Sequence, residues 1–230
     1  MNPVLILTHN NLELTKRCVE SVHHQDIPVS LMIFDNGSTD GTLEWTKSLG
    51  VSCSVRANQI NEGVSFGWND GLKNSFDAWK ADHCLVLGND TMIAKSFYRT
   101  MLSVDIPFVT GVSVENMAQA HEPPCVFPLT PNPDFSAFLI RREAWEKIGP
   151  FDQRMVNYCS DCDYHIRGHR LGVPMMKASV PFYHERSSTT NLAPPAEQAQ
   201  LHAQANLDRA FFYQKYGVLP GTEAYEKLFI

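Results

Sequence analysis

Three acidic groups stand where this chain could do chemistry. Asp35 ends the apolar run Leu31-Met32-Ile33-Phe34 and is followed by Asn36-Gly37-Ser38-Thr39-Asp40-Gly41-Thr42. Asp90 sits in the turn Gly88-Asn89-Asp90-Thr91, just after His83-Cys84-Leu85-Val86-Leu87. Asp161 and Asp163 lie in Ser160-Asp161-Cys162-Asp163, which opens a helical stretch. At the carboxyl edge of an open α/β sheet, where ligands bind, a carboxylate suits the hydrogen-bond donors of a ribose or a base. A hard divalent cation takes oxygen ligands and keeps positions open for phosphate oxygens, so Asp90 is placed for metal–diphosphate chemistry. Asp161, at a helix entrance, suits a general base for a hydroxyl brought within hydrogen-bond reach.

Each group also has a plain structural account. Asp35 and Asp90 are common turn residues. Ser160 fits an N-cap with Asp163 as the acid of a variant capping box, and Asp163 can pair with Arg167 four residues on. Asp161 is the acid that this account needs least. His184, one of nine histidines, follows a strand-like run in a polar, Arg-containing segment. Cys159 and Cys162 form a C-x-x-C, but no second pair accompanies it, and the six scattered cysteines read as reduced thiols.

The elements that must position these residues follow from apolar runs and turn residues. Pro3–Leu7 reads as a first strand with the polar exit Thr8-His9-Asn10-Asn11. A helix spans 12–24, the Asp35 strand follows, and Ser38 or Thr39 is a good N-cap for a helix reaching Leu49. Val51–Val55 is a third strand, so the chain opens as β-α-β-α-β, the pattern of a parallel sheet covered by helices. A turn-rich loop containing Asn58, Asn61 and Gly63 leads to a helix over 66–79, where Gly67 and Gly71 permit close backbone approach. His83–Leu87 is a central strand, 95–102 a helix and 108–114 a strand. The stretch 115–134 carries five prolines, which rule out a central strand or helix and leave a loop that can wall an acceptor pocket. A strand over 135–140, a helix over 143–148, a helix over 160–171, an extended run over 174–181 and a helix ending at Tyr216 complete the chain. No internal repeat or independent second domain is visible.

Composition narrows the function. The 230 residues, 43% hydrophobic and 19% charged, are ordinary for a globular domain. The net charge of −6, from 19 basic and 25 acidic residues, gives no electrostatic reason for nucleic acid or an anionic membrane as main partner. No apolar run approaches a membrane span and no signal-peptide core precedes the first strand, so a soluble, cytoplasmic protein is expected.

Taken in order, these motifs resemble a GT-A-fold glycosyltransferase of the family 2 type, of the non-processive, rhamnosyltransferase-like kind. The resemblance rests on Thr8-His9-Asn10, on Asp35 to Thr42, and on Asn58-x-x-Asn61-x-Gly63 with Asn69-x-Gly71. It continues through Leu87-Gly88-Asn89-Asp90-Thr91 in the place of a D-x-D motif and Phe135 to Arg142 with Gly149-Pro150-Phe151-Asp152. Asp161-Cys162-Asp163, His184 and Phe212 to Gly217 complete it. It implies an α/β fold, a mixed and mainly parallel Rossmann-like sheet flanked by helices. Residues 1–114 would form a nucleotide-sugar half, 115–190 an acceptor half and 191–230 a helical extension. The resemblance also implies that Asp35 contacts the nucleoside and that Thr8, Asn10, Asn36, Ser38, Asn61, Gly63, Asn69 and Asn89 line the donor site. Asp90 and His184 would bind Mn2+ or Mg2+, and Asp161 would deprotonate an acceptor hydroxyl for inverting transfer. The donor would be a UDP-, dTDP- or GDP-sugar; the acceptor a glycan, a protein or a modified nucleic acid.

Two positions depart from the pattern. Gly88 stands where the first acid of D-x-D belongs, and Ser160 replaces the Glu that usually precedes the base. They favour an alternative, a catalytically inactive relative that only binds nucleotide sugar or glycan. The missing Q-x-x-R-W motif argues against a processive synthase. The missing G-x-G-x-x-G after the first strand argues against an oxidoreductase, and the missing phosphate loop against a nucleotidyltransferase.

Overall fold

The computed structural model describes residues 1–115, 123–185 and 192–230. Its nine strands are β1 (Pro3–Thr8), β2 (Ser30–Asn36), β3 (Cys53–Asn58), β4 (His83–Gly88), β5 (Thr91–Ile93), β6 (Phe108–Val114), β7 (Val126–Pro128), β8 (Ala137–Arg141) and β9 (Met175–His184). Among the described residues the α-helices are α1 (Leu12–His23), α2 (Thr42–Ser48), α3 (Val64–Lys73), α4 (Phe97–Ser103), α5 (Arg142–Ile148), α6 (Ser160–Arg170), α7 (Pro195–Tyr216) and α8 (Glu223–Glu226). One sheet runs in the order β3-β2-β1-β4-β8-β6-β9-β5, with β7 added on β9. The β3-β2-β1-β4 block is parallel, as the opening alternation of strands and helices requires. After it, β8 pairs antiparallel with β4 and β6, and β9 lies parallel to β6.

The central strands read as continuous apolar runs because both of their faces are covered. Val4, Ile6, Leu31 and Ile33 join one core with Cys18 and Val22 of α1 and Phe97 and Met101 of α4. The alternate residues Leu5, Leu7, Met32 and Phe34 join a second core with Trp68 and Leu72 of α3 and Tyr164 of α6. A Cβ on Gly67 would lie 2.3 Å from Leu7 Cδ1, and one on Gly71 2.4 Å from Leu5 Cδ2, so these glycines do let α3 sit close to β1. A third cluster, with Met155, Ile166, Phe212 and Tyr225, joins α6 to the C-terminal helices.

Several local expectations change. Helix α2 starts at Thr42 after Gly41 at φ 91°, so neither Ser38 nor Thr39 is its N-cap. Asp40 organises the start instead, accepting from the Thr42 N–H and hydroxyl through Oδ1 and from the Leu12 N–H through Oδ2. Helix α3 begins earlier, at Val64, and ends in a π-helical turn over Asn74–Ala78. Within the Pro-rich stretch, Val126–Pro128 forms an edge strand, where a missing N–H costs least; residues 116–122 lie outside the described residues, as does the Ser/Thr-rich hinge at 187–190. Tyr183 and His184 belong to β9, and Thr91, expected in a turn, begins the short β5. Strand β5 pairs Thr91 with His184.

Gly63, just before α3, has φ 88° and ψ 171°, a region that side chains avoid. A Cβ there would lie 2.2 Å from Val156 Cγ1 and 2.6 Å from the Val156 carbonyl oxygen. We expect Gly63→Ala to cost about 1–3 kcal/mol of stability through backbone strain alone, read by urea unfolding; a change within ~0.5 kcal/mol, the range of an ordinary surface substitution, would contradict this local geometry.

Candidate active site

A cavity of about 390 Å³ opens at the carboxyl rim of β1 and β4. Thr8 and His9 reach it from the end of β1, Asn36 from β2, Asn61 from the loop before α3, and Gly88, Asn89 and Asp90 from the end of β4. Asp134 and Ser136 enter from the loop before β8, Asn157 to Asp161 from the start of α6, and His184 from the end of β9. Seven of the expected residues therefore share one cavity: Thr8, Asn36, Asn61, Asn89, Asp90, Asp161 and His184.

Several of these use their side chains on each other. The Asn36 amide nitrogen donates to Asn61 Oδ1 at 2.8 Å and the Gly63 carbonyl at 3.0 Å, while Asn36 Oδ1 accepts from Asn58 Nδ2 and the Glu62 N–H. This amide clips the end of β2 to the loop before α3. Asn89 Nδ2 donates to the Asn10 carbonyl and to Thr15 Oγ1, which also bonds Thr8 Oγ1.

The other five are not among the residues that line this cavity. Asp35 is fully buried on the opposite face of β2 from Asn36; its Oδ1 accepts the Ser38 N–H at 2.9 Å, and its Oδ2 meets no protein donor. Asn10, at φ 55°, donates its N–H to Ser38 Oγ and accepts the Thr39 N–H on Oδ1, fastening the β1 exit to the β2 exit. Gly63 lets the loop pass Val156. Asn69 is spent on the Phe151 backbone, with Nδ2 to the carbonyl at 2.9 Å and the N–H to Oδ1 at 2.7 Å, and it borders a separate open cleft of about 680 Å³.

The charged wall has a clear electrostatic logic. His184 Nε2 lies 3.4 Å from Asp90 Oδ2, and Nδ1 lies 3.6 Å from Asp134 Oδ2. Burial pushes the imidazole down, but the Asp134 and Asp90 carboxylates outweigh it and hold it up at about 9. Burial pushes the Asp134 carboxyl up, yet His184 and Ser136 bring it to about 2. Asp161 Oδ1 accepts the Cys162 N–H at 2.8 Å; burial lifts this carboxyl to about 6 against that bond, and Asp134 adds to the lift. Asp161 therefore remains largely ionised at neutral pH while being basic for a carboxylate, as a general base needs.

No three His, Cys, Asp or Glu side chains among the described residues are grouped to hold a metal by themselves. Asp90 and His184 nonetheless offer a carboxylate oxygen and an imidazole nitrogen on one cavity wall. That donor set fits a divalent cation that takes its remaining ligands from phosphate oxygens and water.

The start of α6 departs from the capping-box reading. Ser160 is the first helical residue, Cys159 at φ 64° precedes it, and no side chain caps the helix. The buried Asp163 does pair with Arg167, at 2.8 Å, but its other oxygen receives Lys215 Nζ and the Tyr216 hydroxyl of α7. From the same helix, buried Asp208 accepts the N–H groups of Val156, Asn157 and Tyr158 at 3.0, 2.9 and 2.8 Å, together with Gln204 Nε2. Glu197 reaches His9 Nε2 at 3.1 Å, while His9 Nδ1 donates to the Asn36 carbonyl at 2.9 Å. Asp134, Glu197 and Asp208 escaped the sequence reading, and His9 entered it only within the Thr8-His9-Asn10 motif, without a role. Only Asp208 carried a visible signal, an acid on the helical stripe that holds Ala205 and Phe212.

Two measurements check this site. Asp208→Ala strips a carboxylate from three backbone donors and should cost at least about 2–3 kcal/mol, with faster amide exchange at Val156 to Tyr158; unchanged exchange there would contradict the clamp. The folded-state value of Asp161 is raised, so its ionisation opposes folding. Stability from this group is highest below the unfolded value near 3.8 and falls as pH rises to about 6. Asp161→Asn should therefore be more stable than the wild type at pH 7 and converge with it near pH 4; a variant destabilised at pH 7 would contradict the burial of this carboxyl.

Residues 4–105 match the family model "Glycosyl transferase family 2". No curated protein matches the sequence. Solved structures are similar in fold at low identity. A mannosyltransferase, PcManGT from Pyrobaculum calidifontis in complex with GDP-Man and Mn2+, superposes with a TM-score of 0.61 at 17% identity, covering 89% of this chain and 69% of that one. S. aureus TarS 1-349 in complex with UDP gives 0.61 at 14%, over 95% and 72%. GalNAc-T7 with UDP, GalNAc and Mn2+ gives 0.62 at 15%, over 80% of this chain but only 43% of its own. No helix among the described residues is long and apolar enough to cross a membrane. Residues 4–105 are thus a glycosyl transferase family 2 domain, and the chain as a whole has the mixed α/β fold of the GT-A glycosyltransferases.

Proposed function

We propose that this glycosyltransferase is inverting and metal-dependent, and that it moves a sugar from a nucleotide-diphosphate sugar to an acceptor hydroxyl in the cavity that Asp90, His184 and Asp161 share. The observation that carries this reading is that shared cavity, on the rim where an α/β sheet binds ligands. The presence of GDP-Man, UDP and Mn2+ in complexes of similar fold supports a GDP- or UDP-sugar donor and a divalent cation. Asp90 and His184 would hold the cation, which supplies positive charge to the leaving diphosphate.

The chain's own residues account for the remaining steps. The β1 and β2 exits and the loop with Asn61 and Gly63 form the nucleotide end, and the start of α6 forms the acceptor end. Asp161 takes the proton of the acceptor hydroxyl. The oxygen attacks the anomeric carbon from the side opposite the diphosphate, the carbon–oxygen bond to the diphosphate breaks, and the configuration inverts. Thr8, His9 and Asn89 border the space on the diphosphate side. Helix α7 braces the acceptor end through Asp208.

The test is a transfer and hydrolysis screen of UDP-, GDP- and dTDP-sugars with Mn2+ and a range of hydroxyl acceptors. Turnover should appear with a single donor class and show an acid limb near pH 6 in kcat/KM. Asp161→Asn should lose about 10²–10⁴-fold in kcat with donor affinity retained. Asp161→Asn turnover equal to wild type would remove this residue from the mechanism. Donor binding without turnover across the whole screen would support the non-catalytic reading that Gly88 and Ser160 raise.

A further inference from the structure

Asp134 lies on the cavity wall beside His184 and has a role that the mechanism above does not use. Its Oδ1 accepts the Ser136 N–H at 2.9 Å, an Asx turn that pins the carboxylate at the entry to β8. Its Oδ2 then faces His184 Nδ1 at 3.6 Å. The other ring nitrogen, Nε2, faces Asp90 Oδ2 at 3.4 Å and Ser136 Oγ at 3.3 Å. The imidazole therefore spans two carboxylates, one at each nitrogen. A neutral imidazole has one N–H and one lone pair, and the hydrogen bond at one nitrogen decides which nitrogen can bind a metal. His184 Nδ1 is buried with no hydrogen-bond partner, and a cation that takes the Nε2 lone pair leaves the ring's one N–H at Nδ1, where Asp134 Oδ2 is the carboxylate within reach.

We propose that Asp134 is the positioning residue of the metal centre: once a cation takes Nε2, Asp134 closes from 3.6 Å onto the Nδ1–H of His184 and so fixes the ring orientation and tautomer in which Nε2 and Asp90 together face the cation. This rests on the reading of Asp90 and His184 as cation ligands and adds the loop before β8 to the donor site. Asp134 is not a third ligand in this arrangement, because it meets the ring at Nδ1 and Asp90 meets it at Nε2. Its side chain is 38% exposed, so substitutions there are compatible with folding.

The experiment is Mn2+ binding, by calorimetry and by the EPR signal of free Mn2+, on the full chain without nucleotide. Asp134→Ala should weaken Mn2+ binding about ten- to a hundred-fold, and Asp134→Glu should recover part of the loss. The double variant with His184→Ala should bind no more weakly than His184→Ala alone. The ¹⁴N modulation of a coordinated imidazole in pulsed EPR should be present in the wild type, reduced in Asp134→Ala and lost in His184→Ala. Wild-type affinity in Asp134→Ala, with affinity lost in His184→Ala, would overturn the proposal and leave the metal centre standing. Additive losses in the double variant would make Asp134 an independent ligand and also overturn it. Unchanged Mn2+ binding in both Asp90→Ala and His184→Ala would overturn the metal centre and the proposal with it.

Discussion

The pairing of β5 with β9 is the constraint on which the site depends. Three residues on each side align Thr91 with His184, Met92 with Tyr183 and Ile93 with Phe182. The Glu185 N–H adds a bond to the Asp90 carbonyl at 3.0 Å, beyond the last ladder pair. This short ladder ties the turn after β4 to the end of β9, and so sets an acid from the first half of the chain against a histidine from the second. Phe182 and Ile93 anchor it in the core that also contains Phe97 and Val180. The register matters because a slip by one residue would turn His184 to the other face.

The second constraint comes from α7. Asp208 gathers three backbone N–H groups of the loop before α6, and Lys215 and Tyr216 gather on Asp163 within α6. A buried carboxylate is costly unless its lone pairs are filled, and those of Asp208 and Asp163 are filled here. The same loop is fastened from below, where the Ser65 hydroxyl donates to the Met155 carbonyl and the Ser65 N–H to the Val156 carbonyl. Asp161 thus rides on a segment held from two sides, the rigidity that the proposed base needs to meet a hydroxyl at a fixed distance. The C-terminal helix is part of the site's scaffold, and Glu197 carries it to the cavity mouth beside His9.

Much of this was legible in the residues. Apolar runs that stop at polar turns located β1, β2 and β4, and the acids at their ends marked the rim of the sheet. Periodicity reached one step less far than the site required. Asp35 and Asn36 are neighbours in a strand of period two, so they face opposite sides of the sheet, and it is Asn36 that opens onto the cavity. The motif was visible, but its inward face depends on register. The Asn69-x-Gly71 motif puts Asn69 in the donor site by resemblance; that its amide closes on the Phe151 backbone depends on the packing of two distant segments. Strand β5 is too short for any pattern. Asp134 matters because β8 runs antiparallel to β4, with Ala137 opposite Leu87, which brings the start of one strand to the end of the other.

The proposed cation-dependent donor site lies between the end of β4 and the end of β9, facing the start of α6. Anomalous diffraction at the manganese edge, from crystals grown with Mn2+ and UDP or GDP, tests it most directly. The account predicts one strong peak within bonding distance of Asp90 and His184, with the diphosphate on its open side and Asp161 across the same cavity. A manganese peak in the outer cleft by Asp152 and Lys215, with the Asp90 and His184 side chains still paired to each other, would contradict it.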